Sequence, residues 1–210
     1  MTFPMSDPAP ETSATDASLL RRLSEDGDDA SWRQFHETYG RLLHAVARRA
    51  GLNDAEAQDV AQETIIDVSR QMPDFRYDRA RGRFKNWLLT IVRRRIANHA
   101  RRQHYQHEGQ RVPRAQRLGT ALAAATPMPD AEFERAWAEE WERHILDAAL
   151  ARVKARVKPL QYQAFQLHVL KEVPVAEVCE RLGVRAREVY WAKDRVQQLL
   201  KEIIGEIEMD

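Results

Sequence analysis

Apolar residues recur at three- and four-residue intervals wherever this chain has a pattern at all, and that period specifies helices. Between Asp29 and Ala50 the set is Trp32, Phe35, Tyr39, Leu42, Leu43 and Val46. Between Phe84 and Ile96 it is Phe84, Trp87, Leu88, Ile91, Val92 and Ile96. Phe133, Trp137, Trp141 and Ile145 repeat every four residues, and Ala148 continues the face. Strand-like runs are sparse, and only eight glycines occur in 210 residues. The expected fold class is all-α.

Caps and breakers divide these helices. Residues 1–16, MTFPMSDPAPETSATD, are acidic and rich in Pro, Ser and Thr, with no apolar signal segment. They are expected to be a disordered extension. A first helix is expected over about 17–25 and a second from about Asp29 to Ala50, ended by Gly51. Asp54 suits the cap of a third, which Pro73 stops after Met72. A fourth opens near Arg83. Its pattern fades over 104–129, HYQHEGQRVPRAQRLGTALAAATPMP, which reads as a flexible linker. Asp130 then suits an N-cap, and Pro159 breaks the helical run that follows. Two helical domains, 17–103 and 130–210, are thus expected on either side of the linker.

The second domain carries a further pattern. Val175, Val178, Cys179 and Leu182 share a face, Gly183 follows, and a new helix opens around Arg185–Arg187. Helix, Gly-containing turn, helix is a helix-turn-helix, whose second helix enters the major groove.

A formal net charge of +1 hides a segregation. Residues 1–78 carry a net −7, residues 79–117 a net +11 and residues 118–210 a net −3. From Arg79 to His107 there is no acidic residue, against nine Lys and Arg. Arg93, Arg94, Arg95, Arg101 and Arg102 have no acid beside them in sequence, so they repel one another unless a polyanion is near. Phe75, Tyr77, Phe84 and Trp87 interleave with the positive charge, which suits stacking on bases as well as contact with phosphates. The plainer reading is a solvated or snorkelling basic face. If about six phosphates are neutralised, binding falls with a log–log salt slope of roughly −5.

Several functions find no support. No Gly-rich phosphate loop or nucleophile motif occurs, and the basic centre lacks the clustered carboxylates a Mg²⁺ nuclease needs. No enzymatic activity and no cofactor are therefore expected. His99, His104 and His107 have no cysteine among them and make a poor metal set. The single cysteine, Cys179, excludes an internal disulfide, sits on an apolar helix face and fits a reducing cytoplasm. No apolar run approaches the about 20 residues of a membrane helix, so no membrane insertion is expected.

Three segments, in this order, resemble the extracytoplasmic-function group of bacterial RNA polymerase sigma factors, within the sigma-70 family. DAEAQDVAQET (Asp54–Thr64) is similar to the family's core-polymerase-binding helix. FKNWLLTIVRRRIANHARR (Phe84–Arg102) is similar to its promoter-melting and upstream-box helix, and Val173–Leu200 to its downstream helix-turn-helix. The resemblance covers about residues 17–205. It implies a promoter-specificity subunit that binds core RNA polymerase, recognises the minus-thirty-five and minus-ten elements and helps open the DNA. It also implies, as partners, the clamp of the polymerase's largest subunit and promoter DNA. Relatives are often held by an anti-sigma factor, which no residue here identifies.

On this resemblance Asp59, Gln62, Glu63 and Asp67 are expected to form a polar, acidic strip that meets the polymerase, where the plainer reading is a solvated helix face. The minus-ten set is Phe75, Tyr77, Arg79, Arg81, Lys85, Asn86, Trp87, Arg93, Arg94, Asn98, Arg101 and Arg102. Phe84, Trp87 and Leu88 lie on the apolar stripe and read first as core. The loop Pro73–Gly82 is the better holder of a flipped base, because a loop can wrap it. The minus-thirty-five set is Arg185, Arg187, Glu188, Trp191, Lys193 and Arg195. Arg187 suits guanine and Glu188 cytosine, Lys193 and Arg195 suit phosphate, and Trp191 fits core or base edge equally. Val189, Ala192, Val196, Leu199 and Leu200 read as core. Two departures stand out: the 75–84 loop is longer than in many relatives, and Arg94 replaces a common Asn. The family's minus-ten base preference therefore does not carry over.

The linker suits two-site binding. Its residues span roughly 30 Å relaxed and over ~80 Å taut, enough for two boxes about two helical turns, ~70 Å, apart. The competing reading is a stand-alone helix-turn-helix regulator, for which an acidic polymerase-binding helix has no use.

Overall fold

The structure, a computed structural model, describes residues 17–25, 27–75, 84–108 and 128–209. Among these the fold is all-α, as expected. The helices are α1 (Ala17–Glu25), α2 (Asp29–Arg49), α3 (Asp54–Gln71), α4 (Phe84–Glu108), α5 (Asp130–Arg156), α6 (Pro159–Phe165), α7 (Val175–Leu182) and α8 (Ala186–Met209). The helix α4 runs on to Glu108, into the stretch where the apolar period fades. The expected extension 1–16, Tyr77, Arg79, Arg81 and most of the expected linker lie outside the described residues.

Two compact units result, Ser18–Glu142 and Arg143–Asp210, and α5 gives its first half to one and its second to the other. In the first unit α2 packs on α3 and α3 on α4. Its core holds Phe35, Tyr39, Leu43 and Val46 from α2, Val60 and Val68 from α3, and Phe84, Leu88, Val92 and Ile96 from α4, none above 1 % exposed. Each such side chain contributes about 1.5–3 kcal/mol by leaving water. Phe133 and Trp137 of α5 are buried in the same unit.

Local chemistry sets the boundaries. The Asp28 carboxylate accepts from the Ser31 N–H at 2.7 Å and starts α2. Gly51 ends it with φ +95°, a backbone region that L side chains seldom adopt. The cap of α3 is Asn53 rather than the expected Asp54. Its side chain accepts from the Glu56 N–H at 3.0 Å, while Glu56 accepts from the Asn53 N–H at 2.8 Å. This is a capping box, and it places Asp54 in the first turn, 3.1 Å from His44 Nε2. At α5 the Phe133 N–H donates to the Pro129 carbonyl at 2.9 Å, so Asp130 is the first helical residue and not the cap.

In the second unit α6 passes into one wide turn, Gln166–Leu170. Glu172 follows with φ +54°. Then α7 and α8 form the expected helix-turn-helix. Gly183 ends α7 at φ +64°, its N–H donating to the Cys179 carbonyl. A Cβ there meets nothing within 4 Å, so the backbone conformation alone calls for glycine. Ala164, Val178, Val189 and Ala192 form the centre of the unit, with Cys179, Leu182 and Val184 packed against them.

Candidate nucleic-acid interface

Two helices of the first unit carry most of the expected interface, and their charges meet. Asp67 of α3 is 6 % exposed. Its carboxylate accepts from Arg94 Nη2 at 3.0 Å and from both Nε and Nη2 of Arg95. Glu63, one turn earlier, accepts from Arg95 Nη1 at 3.2 Å and from Arg102 Nη1 at 3.0 Å. Burial pushes the Asp67 carboxyl up, but the hydrogen bonds and charges of Arg95 and Arg94 outweigh it and hold the group below the ordinary carboxylate range. The Asp67 hydrogen bond likewise keeps Arg95 firmly charged.

This overturns two expectations about the surface. The Arg run does have acidic neighbours, supplied across the helix pair instead of along the chain. The solvent-facing strip of α3 is also not the one that four-residue spacing suggests. Eight residues from Asp59 to Asp67 accumulate about 80° of rotation at 3.6 residues per turn, which swings Asp67 away from that strip and towards α4. The exposed line is Asp59, Gln62 and Ile66, the last 47 % exposed, with Glu63 at its edge. Ile66 was missed because an apolar residue reads as core, and only the packing shows it left outside.

On α4, Phe84 and Leu88 are core. Trp87 is half-buried, its ring 4.4 Å from that of Phe75 and 5.6 Å from that of Phe84. Phe75 and Trp87 thus form an aromatic step at the start of α4. Asn86, Arg94 and Arg102 are exposed, and Arg101 bonds Asn98 one turn back. Lys85 and Arg93 face α5. Arg93 pairs with Asp130 and lies 3.8 Å from Glu134. Its guanidinium sits 5.9 Å from the Phe133 ring centre, and Lys85 Nζ sits 5.7 Å from that of Trp141. Arg49 of α2 holds the same stretch of α5 through Glu139 at 2.6 Å and Glu140 at 3.4 Å. These acids escaped the sequence reading, although Asp130 and Glu134 have the i, i+4 spacing that presents two carboxylates to one cation.

In the second unit the start of α8 presents Arg185, Arg187, Glu188, Tyr190, Trp191 and Arg195 to solvent, with Lys193 half-buried. Trp191 is 55 % exposed and Tyr190 52 %. Trp191 therefore takes the surface reading, and Val189, Ala192, Val196 and Leu199 the core one, with Leu200 half-buried. Tyr190 was not singled out from the sequence, and only the packing shows it exposed. Glu188 is already engaged: it accepts from the Arg185 N–H at 2.8 Å and caps α8, and those bonds hold its carboxyl below the ordinary range. Fewer of its lone pairs remain for a base. His99 Nε2 lies 3.9 Å from Glu56, and among the described residues no group of three or more His, Cys, Asp or Glu could hold a metal ion. Among them, too, no helix is long and apolar enough to cross a membrane.

Comparison with known proteins meets this geometry. The family model Sigma-70 region 2 matches residues 35–105, which are α2 to α4. The chain is 27% identical over 177 residues to the ECF RNA polymerase sigma factor BldN of Streptomyces coelicolor, covering 83% of this chain and 60% of BldN. It is 31% identical over 87 residues to the RNA polymerase sigma factor NccH of Alcaligenes xylosoxydans xylosoxydans, covering 41% and 42% respectively. With the ECF RNA polymerase sigma factor SigK of Mycobacterium tuberculosis it shares 24% identity over 194 residues, 92% of this chain and 94% of SigK. The chain thus spans less than two thirds of BldN and NccH, and nearly all of SigK.

Proposed function

We infer that this chain, which belongs to the extracytoplasmic-function group of the sigma-70 family, is a promoter-specificity subunit of bacterial RNA polymerase. The observation that carries this reading is the Sigma-70 region 2 match over residues 35–105, because it falls on the helices that join an acidic α3 to a basic α4. The chain makes no bond of its own in this role; it brings the polymerase to a promoter and holds the DNA as it opens.

The residue assignments follow the exposed chemistry. Asp59, Gln62 and Ile66, with Glu63 at their edge, are the α3 face offered to the polymerase clamp, while Asp67 serves by holding Arg94 and Arg95. Asn86, Arg94, Arg101 and Arg102 line the α4 face offered to the minus-ten strand, with Asn98 positioning Arg101. Phe75 and Trp87 offer stacked rings to an unstacked base, a task that Tyr77, Arg79 and Arg81 share by their place in the sequence. In the second unit Arg187, Tyr190 and Trp191 reach towards base edges at the minus-thirty-five element. Arg185, Lys193 and Arg195 take phosphates, and Glu188 fixes the helix start.

The test is association with core RNA polymerase, followed by transcription in vitro on genomic DNA with start sites mapped. Start sites that appear only when the chain is added support the reading. Failure to associate with core polymerase even at low salt sinks it, and DNA binding without that association would favour the stand-alone regulator.

A further inference from the structure

Lys85 and Arg93 are the described α4 cations that meet the start of α5, while Arg94, Arg95 and Arg102 meet the acids of α3. Both belong to the same compact unit, Ser18–Glu142. Arg93 is bonded to Asp130 and faces Glu134, its guanidinium over the Phe133 ring. Lys85 lies over the Trp141 ring. An anionic oxygen and a π-face are the two things that a nucleic-acid strand offers to Arg and Lys. Here a helix offers both.

We propose that the segment Asp130–Glu142 is an internal competitor for nucleic acid, its acidic side chains and aromatic faces occupying the places on Lys85 and Arg93 that a DNA strand would take. The proposal rests on the reading of α4 as the face that meets the promoter strand. The competition is local. The side chains of Asp130 and Glu134 are 73% and 62% exposed, so they can let go of Arg93 into water. Phe133 and Trp137 beneath them, at 0 % and 2 % exposure, keep the segment docked while Arg93 changes partner. Arg49 of α2, held by Glu139 and Glu140 of α5, anchors the other end and takes no part in the exchange. The acids of α5 therefore set how strongly α4 holds DNA without deciding whether the unit is folded.

The test uses the full chain and a fluorescein-labelled single-stranded DNA 20-mer at about 50 mM salt, read by anisotropy. Asp130→Asn with Glu134→Gln removes two negative charges at Arg93. Glu132→Gln with Glu142→Gln removes the same charge from exposed positions of the same segment. Each exposed pair is weak, so the expected gain for the first variant is about three- to tenfold tighter binding. The matched variant should stay within about twofold of the parent. Circular dichroism checks that both keep their helix content. Equal binding by D130N/E134Q and the parent overturns the proposal. So does an equal gain in E132Q/E142Q, which would be bulk charge, and so does an absence of DNA binding in all three. Association of the parent chain with core polymerase, measured alongside, reads the sigma-factor assignment separately. A chain that holds polymerase but shows no selective gain loses this inference alone.

Discussion

Asp67→Asn keeps the size of the side chain and removes the charge that Arg94 and Arg95 share. Hydrogen bonds to charged groups contribute about 1.5–3 kcal/mol each. The Arg94 side chain is 53% exposed and its bond is screened towards zero, whereas that of Arg95 is 16% exposed and sets the scale. Asparagine retains one acceptor but turns an amide N–H₂ towards a guanidinium. The expected loss at pH 7 is about 2–3 kcal/mol, placed on the unit Ser18–Glu142. The Asp67 carboxyl lies below its ordinary value in the folded chain. Its contribution is therefore complete above the unfolded value of about 3.9 and is lost as pH falls through the lower folded value. The gap between parent and D67N should stay constant from neutral pH to about pH 5 and close at more acid pH. Urea unfolding with hydrogen-exchange labelling of α3 and α4 reads this unit apart from the second. A double-mutant cycle with Arg95→Gln should give a coupling of about 1–3 kcal/mol. Equal stability at pH 7, or a gap that persists unchanged at pH 3, would refute the reasoning.

Other consequences are open to measurement. Asn53→Ala removes half of the capping box of α3 and should cost about 1 kcal/mol, seen as faster amide exchange in the first turn of that helix. Glu172→Gly should stabilise the second unit by about 0.5–1 kcal/mol in urea unfolding, because a glycine accepts φ +54° without the Cβ conflict that glutamate bears. Arg187→Ala should relax base preference at one position of the minus-thirty-five element, whereas Arg195→Ala should weaken all sequences alike and reduce the salt slope by about 1. A uniform loss for both would show that Arg187 touches only phosphate.

The helices were legible because their signals are local. The stretch from Gly51 to Asp54, the stop at Pro73 and the Gly183 turn each sit within a few residues of what they end or begin. Even the misses there, Asn53 for Asp54 and Pro129 for Asp130, are one-residue shifts between neighbouring capping groups. The partners of the arginines were not legible. Arg94 and Arg95 meet an acid 27 and 28 residues away, and Arg102 meets one 39 away. No spacing rule reaches so far, since the pairing exists only once α3 and α4 have packed. For the same reason the basic stretch read as a bare polyanion site, when the fold pairs much of it before any polyanion arrives. The Trp191 question had no sequence answer either, because an aromatic at a helix start serves a core or a groove equally well.

The Glu188 cap bears on timing as well as on geometry. A helix end usually frays, and a frayed end must be immobilised during the encounter with DNA, which lowers the fraction of collisions that succeed. The first turn of α8 is fastened before any encounter, by a carboxylate that accepts from the Arg185 N–H and is held below its ordinary pKa by that bond. The ordering entropy has then been spent at folding, so on the proposed function a groove would meet a finished surface. Loosening that fastening should show first as slower association, with the lifetime of the formed complex much less affected.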